Sequence, residues 1–210
     1  MYTEQLYRIF REESSGVSTD TRTLKKGQLF FALWGQNFNG NEYAAEALDK
    51  GASYAVIDDP VYETDRTILV DDCLMELQGL AQHYRKMMGV SVLAITGSNG
   101  KTTTKELIAA IMSKKLRVHY TRGNLNNEIG LPLTILSAPD DIDMLILEMG
   151  ANHSGEIRTL CNVARPDYGI ITNIGTAHIE GFGSFEGILK AKTELYEHLR
   201  KVNGIAIYDD

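Results

Sequence analysis

The sequence predicts an α/β protein in which a small N-terminal α/β domain precedes a domain with a mostly parallel, doubly wound sheet. In the second part of the chain, apolar runs long enough for buried strands alternate with helical stretches, an order typical of a parallel sheet with helices on both faces. These runs are 90–95, 144–147, 169–174 and 205–208. The earlier elements are shorter, and Gly89 separates a predicted helix from the first buried strand, so we expect domains at 1–88 and 89–210.

The N-terminal domain is expected to open with a helix and to continue with short strands and helices. The predicted elements are strands at 28–33, 54–57 and 67–70 and helices at 42–50 and 74–88. The last predicted strand of the second domain, 205–208, ends two residues before the sequence does, and no later element covers it. We therefore expect the second domain to be truncated or a third domain to be missing.

Composition limits the classes of function. A chain of 210 residues can bury two modest cores without disulfides, and Cys73 and Cys161 fit no metal-ligand spacing, so we expect buried thiols in a reducing compartment. The sequence has no apolar run of about 18 residues, which predicts a soluble, cytoplasmic protein without membrane insertion. Because 28 acidic side chains exceed 21 basic ones, a nucleic-acid-binding surface is disfavoured.

A phosphate-binding loop is predicted between an apolar strand that ends at Thr96 and a helix that begins at Lys101. Its residues are Gly97, Ser98, Asn99, Gly100, Lys101, Thr102 and Thr103. In such a loop, backbone N–H groups surround phosphate oxygens, Lys101 reaches the β and γ phosphates, and the Thr102 hydroxyl binds Mg²⁺. The loop is shorter than the common form, since Ile95 stands where that form has glycine.

Two polar residues follow buried strands and are expected at the same edge of the sheet as this loop, because ligands bind beyond the carboxyl ends of parallel strands. Glu148 follows the apolar run 144–147, and we interpret it as a metal ligand or a partner for a basic side chain. His178 lies just past the run 169–174. A histidine in a loop is usually only solvated, and the proximity to the phosphate-binding loop favours a functional role for both.

Lys192 lies on the apolar face of a predicted helix at 184–199, whereas Lys190 lies off it. The apolar residues of this face are Phe185, Ile188, Leu189, Leu195, Tyr196 and Leu199. A lysine that faces a core is costly unless its chain extends to the surface or its charge is paired or altered. Lys192 is therefore either a snorkelling side chain or a paired or modified lysine near a metal.

Several asparagines lie in the segment 123–130. Asparagine is common in ordinary turns, which is one interpretation of this segment. The other is a loop that faces a substrate, with side-chain amides that bind sugar or peptide atoms.

Taken together, these motifs resemble the ATP-dependent Mur ligases of peptidoglycan synthesis. The shortened loop at 96–103 is similar throughout that superfamily, and GNLNNEIGLP at 123–132 and LEMGANHSGEI at 147–157 resemble the members that join D-Ala-D-Ala to UDP-MurNAc-tripeptide. The segment that contains Thr21 and Arg22 is similar to the family's N-terminal domain, which binds the uridine end of that nucleotide substrate. The resemblance extends along the whole chain.

The resemblance implies roles for the residues above. ATP would phosphorylate the terminal carboxylate of the tripeptide, and the amine of D-Ala-D-Ala would then displace the phosphate. Thr102 and Glu148 would hold one Mg²⁺, and His178 and Lys192, the latter as a carbamate, would lie at a second. Thr21, Arg22, Asn126, Asn127 and Asn152 are the candidate substrate-binding residues, and Lys101, Glu148, His178 and Lys192 the candidate catalytic ones. We expect small-molecule partners and a monomer.

Two departures from the family pattern and several rival functions accompany this interpretation. Asn41 stands where many relatives have histidine, and the C-terminal domain that binds the incoming amine is absent, so we expect the 210-residue chain alone to be inactive or weakly active. The rivals are a sibling ligase that adds a single amino acid, a P-loop NTPase or phosphotransferase, and a non-catalytic nucleotide-sugar-binding module.

Overall fold

The computed structural model describes residues 2–175 and 179–208. Its chain forms two compact units, Met1–Tyr84 and Arg85–Asp210, each with its own parallel sheet. The predicted α/β class with mostly parallel strands is therefore confirmed. Gly89, the boundary predicted from the sequence, directly follows the helix that joins the two units and has a left-handed φ of +64°.

The first unit contains a four-stranded parallel sheet, a short antiparallel hairpin and three helices. Its elements are α1 (Tyr2–Glu12), β1 (Val17–Ser18), β2 (Leu29–Phe31), β3 (Trp34–Gly35), β4 (Phe38–Asn39), α2 (Ala44–Asp49), β5 (Ala55–Ile57), β6 (Thr67–Leu69) and α3 (Cys73–Met88), with 3₁₀ turns at Gly40–Tyr43 and Pro60–Tyr62. The strand order is β1-β2-β5-β6, and β3 pairs with β4. Every residue of β2 and β5 is buried, as expected for inner parallel strands.

The second unit contains a five-stranded parallel sheet with the order β11-β10-β7-β9-β8. Its elements are β7 (Ser91–Thr96), α4 (Lys101–Met112), β8 (Val118–Tyr120), α5 (Gly130–Leu136), β9 (Met144–Glu148), α6 (Glu156–Ala164), β10 (Tyr168–Ile171), α7 (Ile179–Phe182), α8 (Phe185–Val202) and β11 (Ile205–Ile207). The central strands β7 and β9 are buried along nearly their whole length because other strands pair with both of their edges and helices cover the faces.

Helices cover both faces of this sheet. Tyr168 of β10 packs against the apolar cluster that includes Ala109 of α4. A side chain added to the next residue, Gly169, would instead meet Leu195 of α8. Because successive strand residues point to opposite faces, α4 and α8 lie on opposite faces of the sheet. The sheet is thus doubly wound, as the alternating apolar runs predicted.

Some of the predicted elements differ from the structure. Strand β8 was not predicted, because its sequence Val-His-Tyr lacks an apolar run and the strand lies at an edge with every residue only partly buried. Strand β10 ends at Ile171 rather than Ile174, since the next residues bond to the phosphate-binding loop instead of a strand. The edge strand β11 is exposed at Ile205 and Ile207.

The apolar faces of two helices were also predicted only in part. In α8, Ile188, Lys192 and Leu195 are buried, but Phe185 and Leu189 are 45% and 43% exposed. In α4, helical spacing places Ile111 on the same face as Ile108 and Met112, which pack against the core, but Ile111 is 68% exposed. Helical spacing identifies a face, but how much of it is covered depends on neighbouring elements.

Both cysteines are buried and free, as predicted. Burial raises the pKa of the Cys161 thiol to about 12, so the thiolate that redox and metal chemistry require is disfavoured. Among the residues that the structure describes, no helix is long and apolar enough to cross a membrane.

A buried carboxylate connects α6 with α8. Glu194 is 2% exposed and accepts hydrogen bonds from the backbone N–H groups of Gly155 (2.8 Å) and Arg158 (2.9 Å) at the start of α6. The Arg158 guanidinium lies 3.4 Å away on the same carboxylate. These N–H groups are otherwise unsatisfied at a helix N-terminus, where a negative charge is also favourable.

We predict that Glu194→Ala lowers the free energy of unfolding by about 3 kcal/mol, because it removes a charged acceptor from buried donors. Glu197→Ala is the matched control: Glu197 also pairs with Arg158, at 3.8 Å, but its side chain is 47% exposed, and its loss is expected to cost about 0.5 kcal/mol or less. Urea unfolding followed by circular dichroism measures both. Equal losses of stability in the two variants would contradict the role of Glu194 as the acceptor at the start of α6.

Candidate functional site

The phosphate-binding loop joins the end of β7 to the start of α4, as the sequence predicted. Gly97 and Gly100 have φ values of +141° and +77°, which L side chains rarely adopt. Gly100 is the N-cap of α4, so the N–H groups of the first helical turn lie at the end of the loop. A loop of this shape at a helix N-terminus is an anion-binding arrangement.

The segment that follows β10 fixes the shape of this loop. Thr172 Oγ1 donates to the carbonyl of Asn99 at 2.6 Å, and the Asn99 N–H donates to Asn173 Oδ1 at 3.0 Å. The Ser98 N–H donates to the Asn173 carbonyl at 3.0 Å, and Ser98 Oγ accepts from the Gly175 N–H at 2.9 Å. The continuation of β10 therefore supports the conformation of the loop.

Lys101 is folded back onto its own loop. Its Nζ donates to the carbonyl oxygens of Gly97 at 2.9 Å and Ser98 at 3.3 Å. Burial lowers the pKa of Lys101, and the nearby charge of Glu148 opposes that shift. The ammonium group is thus held at the loop, beside the positive end of α4.

Glu148 ends β9 and is 2% exposed. Its Oε2 accepts a hydrogen bond from Thr102 Oγ1 at 2.9 Å, and its Oε1 accepts one from Asn126 Nδ2 at 2.8 Å. Its backbone N–H donates to Thr121 Oγ1 at 3.0 Å. The structure therefore brings together Thr102 and Glu148, the two residues that the sequence assigned to one metal ion.

These donors fit Mg²⁺, which prefers hard oxygen ligands and usually takes only one or two from a protein beside substrate phosphates and water. A carboxylate and a hydroxyl adjoin each other here, next to a loop suited to phosphate. Residues 2–175 and 179–208 hold no group of three or more His, Cys, Asp or Glu side chains that could bind a metal ion.

Lys192 is 3% exposed, as its place on the apolar face of α8 predicted. Its Nζ contacts the Ala151 carbonyl at 3.5 Å and lies 5.4 Å from the centre of the Phe182 ring. Burial lowers the pKa of Lys192 to about 8, with a further contribution from the charge of Lys101, while Glu156 opposes the shift. The lysine does not reach the surface, so snorkelling is excluded as its explanation.

His178, the other candidate at the second metal position, lies outside the described residues. The predicted pairing of His178 with Lys192 at that position therefore stays a prediction.

The asparagine segment and the start of α6 line a cavity of about 650 Å³ that also contains Lys101, Asn126, Asn127 and Asn152. Asn126 is fixed through its carbonyl, which accepts from the Gly150 N–H at 2.7 Å. The Asn127 side-chain oxygen accepts from the N–H groups of Ile129 and Gly130. Asn127 thus has the turn role that the sequence also allowed, and all three asparagines share one cavity with the loop lysine.

In the first unit, Thr21 and Arg22 line a separate cavity of about 460 Å³ together with Phe38 and Tyr43. Thr21 is buried and donates to Glu46 at 2.9 Å. Arg22 pairs with Asp20 through two nitrogens, and this pairing lowers the pKa of Asp20 to about 2.

Asn41 stands at the position where many members of the similar family have histidine. Its side chain is fully buried in the first unit. Its Nδ2 donates to Asn39 Oδ1 and Asp58 Oδ1, each at 2.8 Å, and its Oδ1 accepts from the Asp58 N–H at 3.0 Å. The side chain thus connects the hairpin with the end of β5.

Lys105 is a charged residue of the site that the sequence motifs did not identify. Lys105 is fully buried, and its Nζ lies 3.7 Å from Glu148 Oε2. The pattern that identified Lys192 could also have identified Lys105, because this lysine lies at helical spacing from Ala109 and Met112, which belong to the apolar face of α4.

Two protein-family models match most of the chain. The Mur ligase middle domain matches residues 95–210, and the Mur ligase family catalytic domain matches residues 13–113. The UDP-N-acetylmuramoyl-tripeptide–D-alanyl-D-alanine ligase of Bacillus subtilis is 45% identical over 196 residues, which are 92% of this chain and 43% of that protein. The Escherichia coli ligase of the same name is 41% identical over 191 residues, 91% of this chain and 42% of its own.

Solved structures agree with these matches. MurF from Acinetobacter baumannii superposes with a TM-score of 0.85 at 33% identity, covering 92% of this chain and 46% of that one. The MurF ligase of Thermotoga maritima, solved in complex with ADP, gives a TM-score of 0.85 at 36% identity, with coverage of 93% and 46%. The chain thus spans less than half the length of the relatives it matches.

We predict that Gly97→Ala weakens binding of a non-hydrolysable ATP analogue more than about tenfold, because a left-handed φ strains alanine and its Cβ would collide with Thr172. Gly89→Ala is the control: Gly89 also has a left-handed φ, +64°, and its Cβ would meet nothing within 4 Å, but it lies outside the loop, so the affinity should be unchanged. Titration calorimetry with Mg²⁺ measures both. Equal affinities would show that the contact with Thr172 does not determine the shape of the loop.

Proposed function

This chain belongs to the Mur ligase family, and we propose that it is the nucleotide- and substrate-binding part of an ATP-dependent ligase that joins D-Ala-D-Ala to UDP-MurNAc-tripeptide. One observation carries the proposal: the contact of Glu148 with Thr102, directly beside the phosphate-binding loop. The two curated relatives named above carry that ligase name. We place the reaction in the cytoplasm, in a monomeric protein, as a step of cell-wall precursor synthesis.

The proposed chemistry activates a carboxylate. The terminal carboxylate of the tripeptide takes the γ-phosphoryl group of ATP, which gives an acyl phosphate and ADP. The amine of D-Ala-D-Ala then forms the amide bond, and the C–O bond to phosphate breaks. Lys101 and the N–H groups at the start of α4 stabilise the charge of the transferring group. For this, Lys101 has to exchange the carbonyl oxygens of its own loop for phosphate oxygens.

Mg²⁺, when bound, would neutralise charge on the phosphates. Thr102 and Glu148 are the residues that would hold the first ion, because their oxygens already adjoin each other. We place a second ion near His178 and a carbamate of Lys192.

The surroundings of Lys192 support the carbamate. CO₂ adds to a neutral amine, and burial together with Lys101 lowers the pKa of Lys192 to about 8, so a substantial neutral fraction exists near physiological pH. Carbamate formation replaces a buried cation beside Lys101 with an anion that can bind a metal ion. It thereby removes the repulsion between the two lysines.

The remaining candidates are proposed to bind the nucleotide sugar. In the first unit, Thr21 and Arg22 line a cavity with the aromatic rings of Phe38 and Tyr43, a composition suited to a base and a diphosphate. In the second unit, Asn126, Asn127 and Asn152 line the cavity beside Lys101 and would face the sugar or peptide.

We predict that ADP release by the whole protein to which these residues belong requires UDP-MurNAc-tripeptide and D-Ala-D-Ala together. Single amino acids in place of the dipeptide should leave the rate near background, since the amine is the acceptor of the activated acyl group. A coupled assay for ADP, with the amine varied, measures this. Equal rates with a single amino acid would favour a sibling ligase, and ADP release independent of the tripeptide would favour an NTPase.

We further predict that Lys192→Ala in the whole protein lowers kcat at least about 100-fold and that short carboxylic acids partly restore it, because a free carboxylate can replace the carbamate. Lys190→Ala, two residues away on an exposed part of α8, is the control and should retain activity without a response to the acids. Removal of dissolved CO₂ should lower the activity of the enzyme without substitutions, and bicarbonate should restore that activity. Full activity of Lys192→Ala would contradict the assignment.

A further inference from the structure

Lys105 is a buried cation that neither the sequence motifs nor the proposed reaction uses. Its side chain is 0% exposed, and its Nζ has no hydrogen-bond partner among the described residues. Buried polar groups are nearly always hydrogen-bonded, because an unsatisfied one is costly in a region of low dielectric constant. The lysine therefore needs an electrostatic reason for its position.

That reason is Glu148. Lys105 Nζ lies 3.7 Å from Glu148 Oε2, the oxygen that also accepts the hydrogen bond from Thr102. The side chains of Lys105 and Glu148 are 0% and 2% exposed, so solvent screens their attraction far less than it would at a surface. The same oxygen is the one proposed to bind Mg²⁺ with Thr102. An ammonium group and a divalent cation, when one is bound, would thus compete for one carboxylate oxygen.

The charges around this carboxylate disfavour a free metal ion. Burial lowers the pKa of Lys101, a shift that the charge of Glu148 opposes, and burial together with the charge of Lys101 lowers the pKa of Lys192. With Lys105, two lysines therefore act on the buried charge of Glu148. A bare divalent cation would approach Glu148 against the charges of these two ammonium groups, whereas a nucleotide that carries its metal ion brings negative charge with it.

Lys105 also has a second carboxylate within reach. Its Nζ lies 3.2 Å from Glu106 Oε1, and the Glu106 side chain is 50% exposed. The ammonium group can therefore remain paired with Glu106 when a metal ion takes its place at Glu148.

We propose that Lys105 is the counter-cation of Glu148 in the nucleotide-free protein, so that the metal ion enters together with the nucleotide rather than before it. This inference rests on the proposed function, because it requires Glu148 to be a metal ligand. Lys105 acts through Glu148 and is therefore a positioning residue rather than a catalytic one.

The test is direct binding of Mn²⁺ to the 210-residue chain without nucleotide, followed by the loss of the free-ion signal in electron paramagnetic resonance. We expect Lys105→Met to bind Mn²⁺ at least about tenfold more tightly than the unmodified chain, since a positive charge is removed from beside the ligand. Lys115→Met is the matched control, because Lys115 is exposed in the turn after α4, and should leave the affinity unchanged. Adding Glu148→Gln to Lys105→Met should abolish the gain.

Circular dichroism and thermal melting establish that each variant is folded, and Lys105→Gln removes the same charge if the methionine variant is not. Unchanged Mn²⁺ affinity in the folded variant would overturn the inference, as would a gain that survives Glu148→Gln. A separate titration with Mn²⁺ and ADP tests the underlying site. If the unmodified chain binds no Mn²⁺–ADP, the proposed function fails and this inference with it, whereas Mn²⁺–ADP binding with unchanged Lys105→Met affinity overturns the inference alone.

Discussion

The burial of the Glu148 carboxylate at the end of β9 is the constraint on which the site depends. A charge that is 2% exposed has to be paired and hydrogen-bonded. The partners of the carboxylate come from different parts of the second unit: Thr102 lies in α4, and Asn126 lies in the loop after β8. The backbone N–H of Glu148 also donates to Thr121. One carboxylate therefore fixes where the phosphate-binding helix begins and where the asparagine segment lies.

Three lysines belong to this part of the second unit. Lys101 is held at its own loop, Lys105 lies against Glu148, and Lys192 is buried in α8 with a lowered pKa. The charges of Lys101 and Lys105 beside this carboxylate favour a polyphosphate ligand. Thr172 and the residues after it support the loop that would hold it.

The sequence predicted those parts of the molecule that depend on local patterns. Continuous apolar runs identified β7 and β9, glycines with a following helix identified the loop, and a lysine on an apolar face identified Lys192. The edge strand β8 could not be found in this way, because it is only partly buried and has no apolar run. The exposure of Ile111 and the pairing of Lys105 with Glu148 depend on which elements pack together, which local spacing does not contain.

We propose that this site activates a carboxylate with ATP, and the fate of one oxygen atom distinguishes that reaction from hydrolysis of ATP. UDP-MurNAc-tripeptide labelled with ¹⁸O in its terminal carboxylate would be converted by the whole protein in the presence of ATP, Mg²⁺ and D-Ala-D-Ala. An acyl phosphate intermediate transfers one carboxylate oxygen to phosphate, so mass spectrometry should find one ¹⁸O in each phosphate released. Phosphate without ¹⁸O would show that water, and not the carboxylate, accepts the phosphoryl group, and would contradict the account.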